Sequence, residues 1–191
     1  MEAPTPMSDA NKREEILDVS EAMIRRLGFN GFSTRDVANA VGIKAASVHY
    51  HFPGKADLGD AVTERYTARF LQSLGEPTDF GGAARTAIKH YVSMFQQALI
   101  QDGKLCLCAV LGAEIGSLPT SVGGNTKAFF NKNIEWLTTA LTAAGFSDTK
   151  AKANALHIIA SLEGAMIVSK SLGENAVFES VAKTLVRFVD R

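Results

Sequence analysis

One stretch of the chain, residues 33–58, carries side chains able to bind phosphates and base edges. Between residues 24 and 56 there are five Lys or Arg residues and one acidic residue, Asp36, a net charge of +4. The whole chain, by contrast, balances 20 Lys and Arg against 20 Asp and Glu. A basic patch on an otherwise neutral chain is typical of a small nucleic-acid contact surface.

The pattern of the same stretch predicts two short helices joined by a glycine turn. Ser33, followed three residues later by Asp36, matches a capping box that begins the first helix. Gly42 ends that helix, because glycine adopts a left-handed backbone at little cost. The second helix covers residues 45–52. This arrangement predicts a helix-turn-helix, which places its second helix in the major groove of DNA.

We predict that the starts of these two helices and the aromatic and basic cluster after them contact DNA. A helix N-terminus offers N–H groups to a phosphate, and small side chains at the start of the second helix lie where base edges are met. Two histidines two residues apart point to different sides of a helix, which disfavours a shared metal ion. The candidate DNA-binding residues are Thr34, Arg35, Lys44, Ala45, Ala46, Ser47, His49, Tyr50, His51 and Lys55.

Helical periodicity dominates the rest of the sequence, and no strand pattern appears. A first helix is predicted from Ser8 or Asp9 to Gly28, and a long one begins at Lys55. Five further helices are predicted at about residues 83–101, 105–116, 119–143, 148–172 and 175–190. We therefore predict an all-α fold of about nine helices, with a helix-turn-helix domain over residues 8–54 and a larger helical domain over residues 55–191.

Other classes of protein are disfavoured by what the sequence lacks. No apolar run approaches the roughly 18 residues that span a bilayer, and the polar start has no signal-peptide segment, so we predict a cytoplasmic protein without membrane contact. Phosphate-binding glycine loops, HExxH and a nucleophile elbow are absent. We predict no enzyme activity, no cofactor and no metal site.

Residues 13–58 resemble the TetR family of one-component transcriptional regulators. The resemblance rests on the pattern ILxxxxxxxxxxGF and on the segment STRDVANAVGIKAASVHYHFPGKADL. Tyr50, His51, Phe52 and Lys55 match the family pattern, whereas His49 stands where the family most often has tyrosine. The resemblance implies a regulator, usually a repressor, that binds palindromic double-stranded DNA as a homodimer and is released by a small-molecule inducer.

The family resemblance also implies a C-terminal domain that dimerises and holds the inducer. We predict the homodimer contact on the last two helices, where Ala160, Gly164 and Val168 form a strip of small residues. The alternative is that this strip packs within one subunit. Candidate ligand-binding residues, each of which could equally be plain core, are Tyr66, Phe70, Tyr91, Phe95, Phe129, Trp136, His157 and Met166.

The segment LCLCAVLGAEIGSLP resembles the branch of the family that contains the N-ethylmaleimide reductase repressor. That resemblance implies that Cys106 senses electrophiles. If a helix begins near Lys104, its dipole and that lysine would favour the reactive thiolate. The alternative is that Cys106 and Cys108 are small buried apolar residues.

A second interpretation of the whole chain remains open. The protein would then be a helical protein-interaction module that keeps the helix-turn-helix only as structure. Lys44→Ala and Lys55→Ala distinguish the two interpretations. In a DNA-binding regulator both substitutions should weaken DNA binding and lower its salt dependence, because each removes a positive charge that contacts a phosphate, whereas in an interaction module neither should matter.

Overall fold

The computed structural model describes residues 9–188, which form helices and contain no strand over that range. The predicted all-α fold is confirmed. The long segment predicted at residues 83–101 is an α-helix that continues as a π-helical turn, Gln97–Gln101. The α-helices are α1 (Asp9–Leu27), α2 (Thr34–Val41), α3 (Ala45–His51), α4 (Lys55–Leu74), α5 (Ala84–Gln96), α6 (Leu107–Ala113), α7 (Thr120–Ala143), α8 (Asp148–Leu172) and α9 (Asn175–Phe188).

The turn between α2 and α3 follows the local chemistry of its residues. The backbone N–H of Ser33 donates to Asp36 Oδ2 at 2.7 Å, and the N–H of Asp36 donates to Ser33 Oγ at 3.3 Å. The Ser33 hydroxyl also donates to Asp36 Oδ2, at 2.7 Å, and this hydrogen bond, followed by the one from the Ser33 backbone N–H, lowers the pKa of Asp36. Gly42 has φ of 74° and donates its N–H back to Asn39. The predicted capping box and glycine turn are therefore confirmed.

The core of the N-terminal part is not closed by that part alone. Ile24, Val37 and Val48 bury the inner faces of α1, α2 and α3. The same core includes Leu58 and Val62 of α4, and Leu107, Leu111 and Val122 from farther along the chain. Packing thus crosses the domain boundary predicted between residues 54 and 55, which itself stays a prediction.

The second core lies among α4, α5, α7, α8 and α9 and is rich in aromatic side chains. Phe70 contacts the rings of Tyr91, Phe95 and Phe129 at centroid distances of 5.3 to 6.2 Å, and Tyr91 stacks on Trp136 at 5.8 Å. Edge-to-face and offset pairs at such distances stabilise a core beyond the area they bury.

No long apolar run is evident in the sequence, yet α8 is long and apolar enough, by length and composition alone, to cross a membrane. Ile158, Leu162 and Met166 on this helix are fully buried in the second core. The core helix of a globular domain meets the same criterion, and α8 packs between α7 and α9 as such a helix does.

Candidate DNA-binding surface and ligand cavity

Helix α3 presents a solvent-exposed surface beside the glycine turn. Lys44, Ala46, His49 and Tyr50 are exposed, and Tyr50 keeps 74% of its surface accessible. Arg35 is exposed at the start of α2. Val48, by contrast, is fully buried and fixes α3 on the core. Cationic, aromatic and hydroxyl groups on one rigid helix pair suit contact with phosphates and base edges.

Two of the predicted DNA-binding residues turn inward, and Lys55 is the first. Its ammonium group donates to the carbonyl oxygen of Phe32 and lies 4.8 and 4.5 Å from the ring centroids of Phe29 and Phe32. Burial lowers the pKa of Lys55, while the nearby carboxylate of Glu114 partly offsets that effect. Lys55 therefore holds the loop before α2 in place.

His51 is the second inward residue. Its side chain is only 9% exposed, and its Nε2 lies 3.6 Å from Asp9 Oδ1 at the start of α1. His49, two residues earlier, is exposed, and its Nδ1 lies 3.3 Å from the carbonyl oxygen of Pro53. The surface that could contact DNA thus contains fewer of the ten candidate residues than the sequence predicts, because the side chains of Lys55 and His51 contact other parts of the protein. The remaining candidates, all half-buried, are Thr34, Ala45 and Ser47.

Helix α6 is bound at both ends to the N-terminal part. At one end, Arg25 Nε donates to the carbonyl oxygen of Leu105 at 2.7 Å. At the other, Glu114 Oε2 accepts from the backbone N–H groups of Phe29 at 3.0 Å and Asn30 at 3.4 Å. These partners are 80 to 85 residues apart in the chain, so no local pattern indicates them. These hydrogen bonds attach the segments that flank α6 to the end of α1 and to the residues just after it.

The Glu114 contact explains why residue 28 is glycine, and it makes a prediction. Gly28 has φ of 79°, and a Cβ atom there would lie 1.8 Å from Glu114 Oε1. Gly42 has a similar φ of 74° with nothing within 4 Å. We expect Gly42→Ala to cost about 1 kcal/mol of unfolding free energy for backbone strain, and Gly28→Ala about 1–2 kcal/mol more for the clash. Urea denaturation of both variants measures the difference.

The control for that experiment is Glu114→Ala, which removes the clashing carboxylate. In this background the two glycine substitutions should cost the same. An excess cost of Gly28→Ala that persists without Glu114 would contradict the contact.

A cavity of about 230 Å³ opens between α1, α4, α5 and α8. It brings together four of the predicted ligand-binding residues and Cys106, and Arg25 of α1 also lines it. Aromatic walls with a few polar groups are typical of small-molecule pockets. Because Arg25 comes from α1 and the other lining residues come from α4 onward, the cavity is lined by residues of both parts of the chain. The four predicted residues are Tyr66, Phe70, Phe95 and Met166.

The other four predicted ligand-binding residues lie elsewhere. Tyr91 is buried and donates its hydroxyl to Asn133 Oδ1 at 2.9 Å, and Trp136 Nε1 donates to the carbonyl oxygen of Gly75 at 2.8 Å. Phe129 is fully buried behind Phe70. His157 lies on the exposed side of α8. Periodicity in the sequence does not separate wall residues from packed core residues.

Cys106 lies in a buried environment, as the alternative of a small buried apolar residue predicts, and not in the environment of a reactive thiolate. Helix α6 begins at Leu107, so Cys106 is its N-cap residue, and its side chain is buried. Burial, followed by the nearby Glu163 carboxylate, raises the pKa of Cys106 well above its ordinary value. The Tyr66 hydroxyl donates to its sulfur at 3.6 Å. The expectation of a stabilised thiolate is therefore wrong, because desolvation outweighs the helix dipole. Cys108 is buried as well.

Glu163 interrupts an otherwise apolar stretch of α8, and its side chain is buried and does not face solvent. It is 9% exposed, and neither carboxylate oxygen has a hydrogen-bond partner among the described residues. Burial raises its pKa to about 7, and its contact with Cys106 partly offsets the rise. A group in this state carries a proton over much of the neutral range.

The outer side of α8 is apolar and exposed. Leu156, Ile167 and Val168 are 45–46% exposed, and Leu172 is 60% exposed. Gly164, in the middle of the same side, has open space where a Cβ atom would lie. The small-residue strip predicted from the sequence thus faces outward and does not pack within the described subunit.

Comparison with known proteins identifies the family. Residues 16–62 match the model of the tetR family of bacterial regulatory proteins, and residues 84–184 match the LmrA/YxaF-like transcriptional regulator C-terminal domain. A TetR transcriptional regulator from Legionella pneumophila is 32% identical, with a TM-score of 0.87 over 96% of this chain and 99% of that one. The family model for the second part covers more than half of the chain.

Two curated relatives are more distant. The repressor KstR2 of Rhodococcus jostii is 24% identical over half of this chain, and the repressor NemR of Escherichia coli is 27% identical over 58% of it. The chain spans 49% and 57% of the length of these two relatives. Both are described as HTH-type transcriptional repressors. With both family models matched in the order of the two cores, the chain belongs to the TetR family of transcriptional regulators and is not an enzyme.

Proposed function

We propose that this regulator is a repressor that binds a palindromic DNA operator in the cytoplasm as a homodimer. The observation that carries the proposal is the surface of α3, where Lys44 and Tyr50 are exposed while Val48 anchors the helix in the core. A dimer fits this surface, because two recognition helices about one DNA turn apart match two half-sites.

The homodimer contact is proposed on the outer side of α8, with α9 beside it. Its apolar residues would leave water on association, and Gly164 would allow close helix approach. The exposed side of α9 is more polar, with Glu179 and Lys183 among its residues. We therefore expect α8 to supply most of the apolar area. The residues concerned are Leu156, Ile167, Val168 and Leu172.

An inducer is proposed to act through the cavity beside Cys106. Tyr66 and Phe70 on α4 line it, and α4 continues into the core of the helix-turn-helix through Leu58 and Val62. A ligand that binds one arrangement of α4 and α6 better than the other shifts the balance between them by its difference in affinity. Release of DNA would follow if the favoured arrangement misplaces the two α3 helices.

An electrophile is a second candidate inducer, because Cys106 lines the same cavity. Its thiol would have to lose a proton before it adds to an electrophile, and burial, which raises the pKa of this thiol, opposes that loss. For an electrophile that adds to Cys106, we expect Cys106→Ser to abolish release of DNA and Cys108→Ser to leave it intact. Unchanged release in Cys106→Ser would show that the electrophile does not act through Cys106.

The proposal is tested by fluorescence anisotropy on the DNA that flanks the gene, with scrambled DNA as the reference. We expect Lys44→Ala to weaken specific binding about tenfold and to lower the salt slope by about one, as loss of one phosphate contact does. The matched control is Lys132→Ala, an exposed lysine on α7.

Two results would argue against a repressor with this surface. Equal binding to operator and scrambled DNA, unaffected by Lys44→Ala, would favour the protein-interaction module. Equal losses from Lys44→Ala and Lys132→Ala would place the contact elsewhere on the molecule.

A further inference from the structure

We propose that the cavity beside α1 binds a small aromatic carboxylate, whose carboxylate group pairs with Arg25. The proposal rests on the inducer role given to this cavity above and adds the chemical class of the ligand. It starts from a guanidinium group that the protein itself pairs only in part.

Arg25 is a buried cation, and one of its guanidinium nitrogens has no hydrogen-bond acceptor among the described residues. Its side chain is 8% exposed. Nε donates to the carbonyl oxygen of Leu105, and Nη1 donates to Glu21 Oε1 at 3.2 Å. Nη2 is buried and has no hydrogen-bond partner among the described residues. Leaving a charged donor unmet in the interior is costly, and the cost is removed by a ligand that accepts from it.

The carboxylate that neutralises Arg25 is shared. Glu21 Oε2 also lies 3.4 Å from Arg65 Nη2. Arg65 in turn has its own acids, Glu14 at 2.9 Å and Asp18 at 2.8 Å. Arg25 therefore has no acid to itself. A planar guanidinium matches a carboxylate better than it matches any neutral group, because the two can form parallel charge-assisted hydrogen bonds.

The rest of the lining fits an aromatic ring. Tyr66, Phe70 and Phe95 line the cavity with aromatic rings, and Arg25 Cζ lies 5.7 Å from the centroid of the Tyr66 ring. Met166 adds to the apolar wall. A volume of about 230 Å³ is below the range of roughly 300–1,000 Å³ that drug-sized ligands fill, so one ring with short substituents suits it.

The charges around the cavity do not exclude an anion. Asp102 is the acidic residue in the lining, and it is exposed, where water screens its charge. Glu163 lies behind Cys106, and its raised pKa keeps it largely protonated below pH 7. Around the cavity there is thus one partly paired cation, Arg25, and behind Cys106 one acid that favours its neutral form.

This placement connects the ligand to DNA binding. Arg25 belongs to α1, whereas the aromatic walls belong to α4 and α5. The same guanidinium holds the carbonyl oxygen of Leu105 at the entrance to α6. A carboxylate bound to Nη2 would therefore change the position of the same guanidinium group that joins α1 to the residues just before α6.

The test is calorimetric titration of the DNA-free protein with benzoate, benzyl alcohol and benzylamine at pH 6.5 and pH 8. We expect benzoate to bind at least tenfold more tightly than the other two at pH 6.5. Arg25→Lys keeps a positive charge but lacks the fork of donors, and it should weaken benzoate at least tenfold. Arg26→Lys, the exposed neighbour, is the matched control and should bind benzoate as the unmodified protein does.

Ser73→Glu gives a second variant should Arg25→Lys fail to fold. Ser73 lines the cavity and is exposed, so the substitution is tolerable and its charge should repel benzoate but not benzyl alcohol. Absence of benzoate binding at about 1 mM, equal binding of benzoate and benzyl alcohol, or preference for benzylamine would overturn the inference. Specific operator binding, measured separately, shows whether the repressor proposal stands when the ligand class fails.

Discussion

Ile167→Asp is expected to convert the protein from a dimer to a monomer and to weaken operator binding at least 100-fold. Ile167 lies on the outer side of α8 with 45% of its surface exposed, beside the open backbone of Gly164. In the proposed dimer this side faces its own copy, so each substitution places two carboxylates in an apolar contact. Burying an unpaired charge costs several kcal/mol of association free energy. This cost exceeds the free energy that burial of one isoleucine side chain contributes to association.

The loss of operator affinity follows from the loss of the dimer. Two linked recognition helices bind a palindrome as one unit, because the first contact raises the effective concentration of the second. A monomer keeps the α3 surface but loses this advantage, which amounts to a factor of about 10² to 10⁴. Binding to a single half-site should therefore be unchanged when expressed per monomer.

Light scattering coupled to size exclusion measures the oligomeric state, and anisotropy measures operator binding. Thr139→Asp is the matched control, since it adds the same single negative charge at an exposed position of another helix, α7. It should leave the dimer intact. A dimer that survives Ile167→Asp with full operator affinity would place the interface on another surface.

Features that depend on neighbours in sequence could be predicted. The capping box of Ser33 and Asp36, the turn at Gly42 and the positions of the long helices follow from spacing and from backbone preference. Such patterns repeat every three or four residues, so hydrophobic periodicity alone locates a helix. This is why α7, α8 and α9 appear within a residue or two of their predicted starts.

Features that depend on distant partners could not be predicted. Lys55 donates to a backbone oxygen, that of Phe32, which carries no signal in the sequence. Glu114 accepts a hydrogen bond from the backbone N–H of Phe29, just after α1, from 85 residues away. The environment of Cys106 depends on Tyr66 and Glu163, so its burial becomes evident only when α4 and α8 are in place. Local helix-dipole reasoning therefore gives the wrong direction for the pKa of this thiol.

Glu163→Gln is expected to make the protein more stable at alkaline pH and to flatten the dependence of its stability on pH. The folded-state pKa of Glu163 is about 7, whereas the ordinary pKa of a glutamate side chain is 4.5. Between these values the folded state holds a proton that the unfolded state has lost. The unfolding free energy therefore falls as pH rises from about 4.5 to 7 and levels off above 7.

The size of this effect follows from the difference between the two pKa values. That difference corresponds to about 3 kcal/mol over its full range, most of which is expressed between pH 5 and pH 8. The glutamine side chain of the variant stays neutral throughout, so the difference in unfolding free energy between variant and unmodified protein should grow by about 2 kcal/mol over that interval. Urea denaturation at one fixed protein concentration keeps any dimer contribution constant.

The difference between Glu163→Gln and the unmodified protein reports the contribution of Glu163 to the pH dependence of stability, because the two proteins share all other titrating groups. Glu135→Gln, on an exposed position of α7, is the matched control and should leave the pH dependence as it is. The same buried acid bears on the ligand cavity: above pH 7 its negative charge lies beside Cys106, so benzoate should bind more weakly at pH 8 than at pH 6.5. A pH dependence that is identical in Glu163→Gln and the unmodified protein would contradict the burial of an unpaired carboxyl group at this position.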